Sequence, residues 1–157
     1  MALPPNIETY IPQLLADYAA SRRADLSLPA TGALPFLIGP TKEGQIFPRV
    51  LFLTSASAAP HPKRAKLTIT AELQTGSEGQ DIEEENAWTA GIRHILGDAG
   101  AFEAWLQGQD ATVRQGIRIT KYYLSQEPMQ MGMDDKGAVR GRRTDVVVHL
   151  RADELAP

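Results

Sequence analysis

The residues that could do chemistry in this chain are few and widely spaced. The histidines are His61, His94 and His149, and no pair has the H-x-x-x-H or H-x-H spacing that would place two ring nitrogens on one metal ion. The chain has no cysteine, which excludes disulfides, thiolate nucleophiles, zinc–thiolate sites and iron–sulfur clusters. It also lacks the G-x-S-x-G sequence of a hydrolase nucleophile. We therefore predict a protein that is not an enzyme, with no catalytic residue, no metal and no cofactor.

Three segments look superficially like ligand sites. Residues 39–44 (GPTKEG) lack the G-x-x-x-x-G-K-[S/T] order of a phosphate-binding loop. Asp134 and Asp135 lack the alternating acids of a calcium loop, so a turn is the preferred interpretation. The acidic run 83–85 follows Asp81 at the predicted start of a helix, where carboxylates stabilise the positive end of the helix dipole.

The remaining candidates are surface residues in two unusual segments. One is a Pro/Gly-rich arm over residues 24–46, which carries several apolar side chains and is expected to pack along its own domain or on a neighbour. The other is an extended hairpin over 125–143, where methionines lie beside a cluster of arginines, two residue types that suit interfaces. This hairpin is expected either to be mobile and solvated or to pair with a neighbouring subunit. The candidate interface residues are Leu34, Phe36, Leu37, Ile38, Met129, Met131, Met133, Arg140, Arg142 and Arg143.

The elements that must position these residues follow from hydrophobic periodicity. An apolar stripe at helical spacing predicts an N-terminal helix that begins after Asn6, and two further helices over about 82–96 and 98–107. Strict alternation over 63–74 predicts a half-buried strand, and shorter apolar runs predict strands over 49–54, 116–124 and 144–151. We therefore predict an α+β fold: a four-stranded, mainly antiparallel sheet made of two hairpins, with the N-terminal helix and a central helix pair packed on one face.

Length and charge limit the class of protein. A chain of 157 residues fits a single domain, 1–157, with a flexible tail over 152–157. The net charge of −3 argues against a general nucleic-acid coat but allows a local basic patch. The N-terminus has no signal-peptide pattern, and the longest nearly uncharged stretch, 26–41, is interrupted by prolines and glycines. We expect a soluble protein made in the cytoplasm, with no membrane partner.

The ordered set of elements resembles the tail-terminator proteins of long-tailed bacteriophages. The matching features are the amphipathic N-terminal helix, a strand introduced by Phe47-Pro48-Arg49-Val50, and the long alternating strand over 65–74. A helix with an acidic start and the pair Ala87-Trp88 follows, and then a hairpin with an acidic, glycine-containing loop over 134–137 and a strand over 144–150. The resemblance runs from about residue 7 to residue 151. The arm over 24–46 and the short helix over 98–107 depart from the pattern.

The resemblance implies a mechanical function. Family members form a hexameric ring on the last ring of the tail tube, stop its growth and present a surface to the head–tail connector protein. Phage DNA passes through the lumen without sequence-specific binding. The resemblance therefore implies a homo-oligomer in the virion tail, at the head–tail junction, that is assembled in the host cytoplasm. Two alternatives are another ring protein of the head–tail junction, and a small α+β binding module that uses the basic hairpin for nucleic acid.

Overall fold

A computed structural model of the chain describes residues 3–22, 35–39, 49–76, 82–125, 129–131 and 139–152. The protein is an α+β fold. Its helices are α1 (Ile7–Ser21), α2 (Ile82–Leu96), α3 (Ala99–Gln107) and α4 (Ala111–Arg114). Its strands are β1 (Phe36–Ile38), β2 (Arg49–His61), β3 (Arg64–Gly76), β4 (Ile117–Leu124), β5 (Met129–Met131) and β6 (Val139–Ala152).

The four predicted strands form the centre of the sheet, and two short strands enlarge it. The order is β1-β2-β3-β6-β4, and β5 also pairs with β6. β2 and β3 form the first predicted hairpin, and β4 pairs antiparallel with β6 as expected of the second. β1 comes from the arm and lies parallel to β2, so the sheet is mixed and larger than the predicted four-stranded one. The apolar triplet of the arm gains this place because its backbone groups pair with β2, through bonds such as Gly39 N–H to Phe52 C=O at 2.9 Å.

Three strands are longer than predicted. β2 continues to His61, seven residues past the predicted end at residue 54. The register between β2 and β3 breaks between Ala58 and His61, and such a bulge tolerates Pro60 because no regular ladder bond is required there. β3 extends two residues past the predicted end, to Gly76. β6 begins at Val139 and includes Ala152, which we had assigned to the tail; the Ala152 N–H donates to the Lys63 carbonyl at 2.8 Å.

One face of the sheet carries the core. α1, α2 and α3 contribute to the same buried cluster as the inward residues of the strands. The alternation in β3 is confirmed, since all five of its apolar residues are buried. The largest fully buried side chains are Tyr18, Phe52, Phe102, Ile11, Leu14, Leu15, Leu67, Ile69, Leu73, Ile95 and Leu96.

A β-bulge in β4 corrects the predicted orientation of Tyr122. Simple alternation placed Tyr122 on the face of Arg118 and Thr120. The register instead pairs Ile119 with Leu150 and Lys121 with His149, so Thr120 is the extra residue. Tyr122 therefore points to the helices and is 8% exposed.

The ends of the helices follow local chemistry only in part. Gly97 follows the last residue of α2, and its N–H donates to the Arg93 carbonyl at 2.8 Å. Asp98 caps α3 by accepting the Ala101 N–H at 3.2 Å. Asn6 occupies the N-cap position of α1, but its side chain makes no capping hydrogen bond. Asp81 and the side chains over 82–85 lie outside the described residues, so their predicted capping role stays a prediction.

Pro12 lies inside α1 and makes the helix depend on the sheet. Proline has no N–H, so the Glu8 carbonyl one turn earlier lacks its helical donor. The Thr54 hydroxyl of β2 donates to that carbonyl instead, at 2.6 Å. A bond to the neighbouring strand thus replaces one bond of the helix.

Candidate assembly surface

A single row across the sheet contains residues from both predicted interface segments. Leu37 of β1 pairs with Leu51, which pairs with Glu72; Glu72 in turn pairs with Arg143, and Arg143 with Met129 of β5. With strands about 4.8 Å apart, four spacings put the two ends of this row about 19 Å from each other. The row lies on the face opposite the helices, which we call the outer face.

The structure divides the candidate interface residues between the two faces and the two edges. Phe36 and Ile38 pack against the core, whereas Leu37 occupies the row on the outer face. Met129 and Met131 belong to β5, which pairs within its own chain, so pairing of this run does not require a neighbouring subunit. Outside the described residues lie Leu34, Met133 and the side chains of Met129, Met131 and Arg140.

The predicted arginine cluster is not one surface. Arg140, Arg142 and Arg143 were expected in a hairpin loop, but they lie in β6. Successive residues of a strand point to opposite faces, so Arg142 shares the helix side with its partner Leu73, while Arg143 lies on the outer face beside Glu72. Because side chains alternate along a strand, Arg142 and Arg143 lie on opposite faces of the sheet although they are neighbours in the sequence.

Arg143 is held by a buried carboxylate. Its Nε donates to Asp145 Oδ1 at 2.8 Å, and the Thr70 hydroxyl donates to the same oxygen at 2.9 Å. Asp145 is 6% exposed and Thr70 is 1% exposed. The hydrogen bond that Arg143 donates to Asp145, together with the charges of Asp145 and Glu72, raises the pKa of Arg143. The guanidinium is thus fixed in orientation at this point of the row.

A second set of polar bonds continues along the same end of the outer face. The Arg49 Nε donates to Gln74 Oε1 at 2.8 Å, and Gln74 Nε2 donates to Glu72 Oε2 at 3.1 Å. Negative Glu72 and positive Arg143 therefore lie side by side, and each has a hydrogen-bond partner. This end is a mixed polar region beside half-buried Leu37 and buried Leu51.

The opposite end of the outer face is basic, and this feature was missed from the sequence. Two neighbouring rows run across β3, β6 and β4: Arg64, Arg151 and Arg118 in one, and Lys66, His149 and Lys121 in the next. β3, β6 and β4 each contribute two of these residues, and in each strand the two are separated by at least one other residue. The sequence did contain a signal for it: basic residues lie at those ends of the three strands that antiparallel pairing brings together.

The bulge in β4 places a second basic residue of this strand on the outer face. Because Thr120 is extra, Arg118 and Lys121 lie on the outer face although they are three residues apart. The Thr120 hydroxyl donates to the His149 carbonyl at 3.2 Å. A surface cavity of about 400 Å³ opens here, lined by Arg64, Ala65, Lys66, Thr120, His149, Leu150 and Arg151.

Tyr123 and His149 lie beside this basic end. Lys121 Nζ is 5.3 Å from the Tyr123 ring centroid, and the His149 ring centroid is 6.3 Å from it. Burial lowers the pKa of His149, and the positive charges of Lys121 and Lys66 lower it further. The imidazole is therefore mainly neutral near pH 7.

A metal site is not found in the part of the chain that the structure describes. No group of three histidine, aspartate or glutamate side chains could hold a metal ion there. None of the described helices is both long enough and apolar enough to cross a membrane. No protein-family model matches the chain, and no curated protein matches it either.

Proposed function

We propose that the chain is the subunit of a ring that terminates a phage tail tube and joins it to the head connector. The order of elements supports this proposal, because the N-terminal helix, the long hairpin, the tryptophan-bearing helix and the final pair of strands occur in the order typical of tail terminators. The observation that carries the proposal is the geometry of the sheet edges, since ring assembly depends on them.

A closed ring of identical subunits needs two different and complementary patches on each subunit. The sheet ends in β1 at one edge, and in β4 and β5 at the other. These edges differ in sequence, direction and length, and β1 and β5 share one cross-strand row. Edge strands offer backbone donors and acceptors to a neighbouring chain. The two edges therefore supply the pair of unlike patches that a ring requires.

The bonds of β1 leave one side of this strand directed outward. Pro35 C=O accepts from Val50 N–H at 2.9 Å, and Gly39 N–H donates to Phe52 C=O at 2.9 Å. In a parallel ladder alternate residues point their backbone groups to the partner strand, so the backbone N–H and C=O of Ile38 point away from β2. They are the groups that would pair with the next subunit.

The proposed partners follow from this role. The ring is a hexamer that contacts the tail tube protein on one side and the head–tail connector protein on the other, with phage DNA in its lumen held by no sequence-specific contact. It belongs to the virion tail and is assembled in the host cytoplasm. Another ring protein of the head–tail junction would use the same two edges and is the alternative within this class.

The test is the mass and shape of the assembled protein. We expect light scattering and negative-stain electron microscopy to show a ring, formed by the purified chain alone or on addition of the tail tube protein. A terminator will cap one end of assembled tubes, whereas the alternative junction protein will bind the connector and leave tubes uncapped. A chain that stays monomeric and never associates with tubes or connector contradicts the proposal.

A further inference from the structure

We propose that the basic end of the outer face binds the phosphate backbone of a nucleic acid without reading its bases. This basic face consists of Arg64, Lys66, Arg118, Lys121, His149 and Arg151. The inference rests on charge and register alone, and it stands whether or not the chain forms a ring.

The charges of the basic face are largely uncompensated. Of its six residues, only Arg118 has an ion pair with a carboxylate within the described ranges: its Nε lies 3.2 Å from Glu103 Oε1. Glu103 also interacts electrostatically with Arg151, whereas Arg64, Lys66 and Lys121 have no ion pair within the described ranges. This concentration occurs in a chain whose net charge is −3, so positive charge is segregated to one end of one face.

The spacing of these charges fits a dense linear polyanion. Neighbouring strands are about 4.8 Å apart, and successive rows on one face are about 6.8 Å apart, so the backbone positions of the four cations lie within about 12 Å of one another. Duplex DNA carries one negative charge per ~1.7 Å of helix axis, which places several phosphates over this area. An acidic protein surface intersperses its carboxylates with neutral and basic groups and matches this density less well.

The neighbouring aromatic ring is occupied, which argues against readout of bases. Tyr123 is 38% exposed, but Lys121 lies over its ring and His149 lies beside it. The ring therefore supports Lys121 and is not an open platform for stacking a base. Contacts of this kind position a duplex without specifying its sequence.

The experiment measures binding of a labelled 20-base-pair DNA duplex by fluorescence anisotropy. We expect binding at 50 mM salt that weakens roughly a hundredfold by 200 mM, because about four phosphate contacts give a log–log salt slope near −3.6. The double variant Lys66→Gln/Lys121→Gln should reduce the magnitude of this slope to about 2. A duplex of unrelated sequence should bind equally well.

Two matched variants keep the result interpretable. Arg93→Gln/Arg114→Gln removes the same charge from α2 and α4 and should leave binding nearly unchanged. Lys66→Arg/Lys121→Arg keeps the charge and should bind like the original chain, and circular dichroism checks that every variant is folded. The proposal is overturned by absence of binding at 50 mM salt, by an equal loss in the helix-side variant, or by equally tight binding of polyglutamate.

Discussion

Asp145 is a buried carboxylate of β6, and its side chain makes one hydrogen bond to the neighbouring strand β3 and one within its own strand. It accepts hydrogen bonds from Thr70 of β3 and from Arg143 of β6. A buried charge that loses a partner costs more than an exposed one, because water does not replace the bond. Arg143 is thus part of the fold as well as a candidate interface residue.

We expect Arg143→Ala to lower the free energy of unfolding by about 1–3 kcal/mol, because Asp145 would keep only the Thr70 hydroxyl. Urea denaturation of the monomer measures this loss. Arg64→Ala removes an exposed arginine from the other end of the same face and should change stability by no more than about 0.5 kcal/mol. Equal stability of the two variants would show that the Asp145 bond contributes nothing.

The pKa of His149 responds to the positive charges of the basic face. Its pKa is lowered in the folded protein, first by burial and then by Lys121 and Lys66, so the unfolded chain binds a proton more readily. The stability that the neutral imidazole contributes is therefore fully present above a pH of about 6.5 and is lost as the pH falls through the lowered folded pKa. We expect Lys121→Gln to raise the pKa of His149 in an NMR titration.

Arg49→Gln is the matched control for this titration, since it removes one positive charge from the far end of the outer face. It should leave the His149 pKa unchanged. The same shift in both variants would mean that His149 senses net charge and not its neighbours.

At the scale of elements, α1 is completed by β2. The Glu8 carbonyl accepts from Thr54 because Pro12 offers no N–H. We expect Thr54→Val to destabilise the fold by about 1 kcal/mol, which is the usual net contribution of one hydrogen bond. In a Pro12→Ala background the helix regains its own donor, so the same change should cost much less.

A double-mutant cycle by thermal or urea unfolding measures this coupling. If the cost of Thr54→Val is the same in both backgrounds, the hydroxyl does not substitute for the missing helix bond. The pair of substitutions thus separates the hydrogen bond from any effect of packing around the valine.

Several elements could be predicted because their signal is local. The stripe of α1 and the alternation of β3 each identify a face that must be buried, and both were confirmed. β1 could not be predicted, because three apolar residues in a Pro/Gly-rich arm carry no period and gain their place only by pairing with β2. Tyr122 was assigned to the wrong face because a single extra residue in β4 reverses the alternation after it.

At the scale of the whole molecule, the two unlike edges of the sheet matter most for assembly. We expect Leu37→Lys in β1 to abolish ring formation, because a lysine on an edge strand opposes pairing with another chain. Leu53→Lys makes the same change one strand further in, on the same face, and should leave the ring intact. Electron microscopy of both variants measures ring formation. Loss of the ring in both would show that a lysine on the outer face prevents assembly whether or not it lies on the edge strand.

The sequence alone determined which residues must be buried and where helices and strands form, because those signals repeat within a few residues. The sequence also lacks cysteine, the G-x-S-x-G motif and closely spaced histidine pairs. The tertiary structure decided which polar residues meet: it separated Arg142 from Arg143, joined Arg143 to Asp145, and gathered the basic face from three strands. These contacts depend on the register between strands whose paired residues lie up to 87 positions apart along the chain, as Arg64 and Arg151 do, and no local pattern specifies that register.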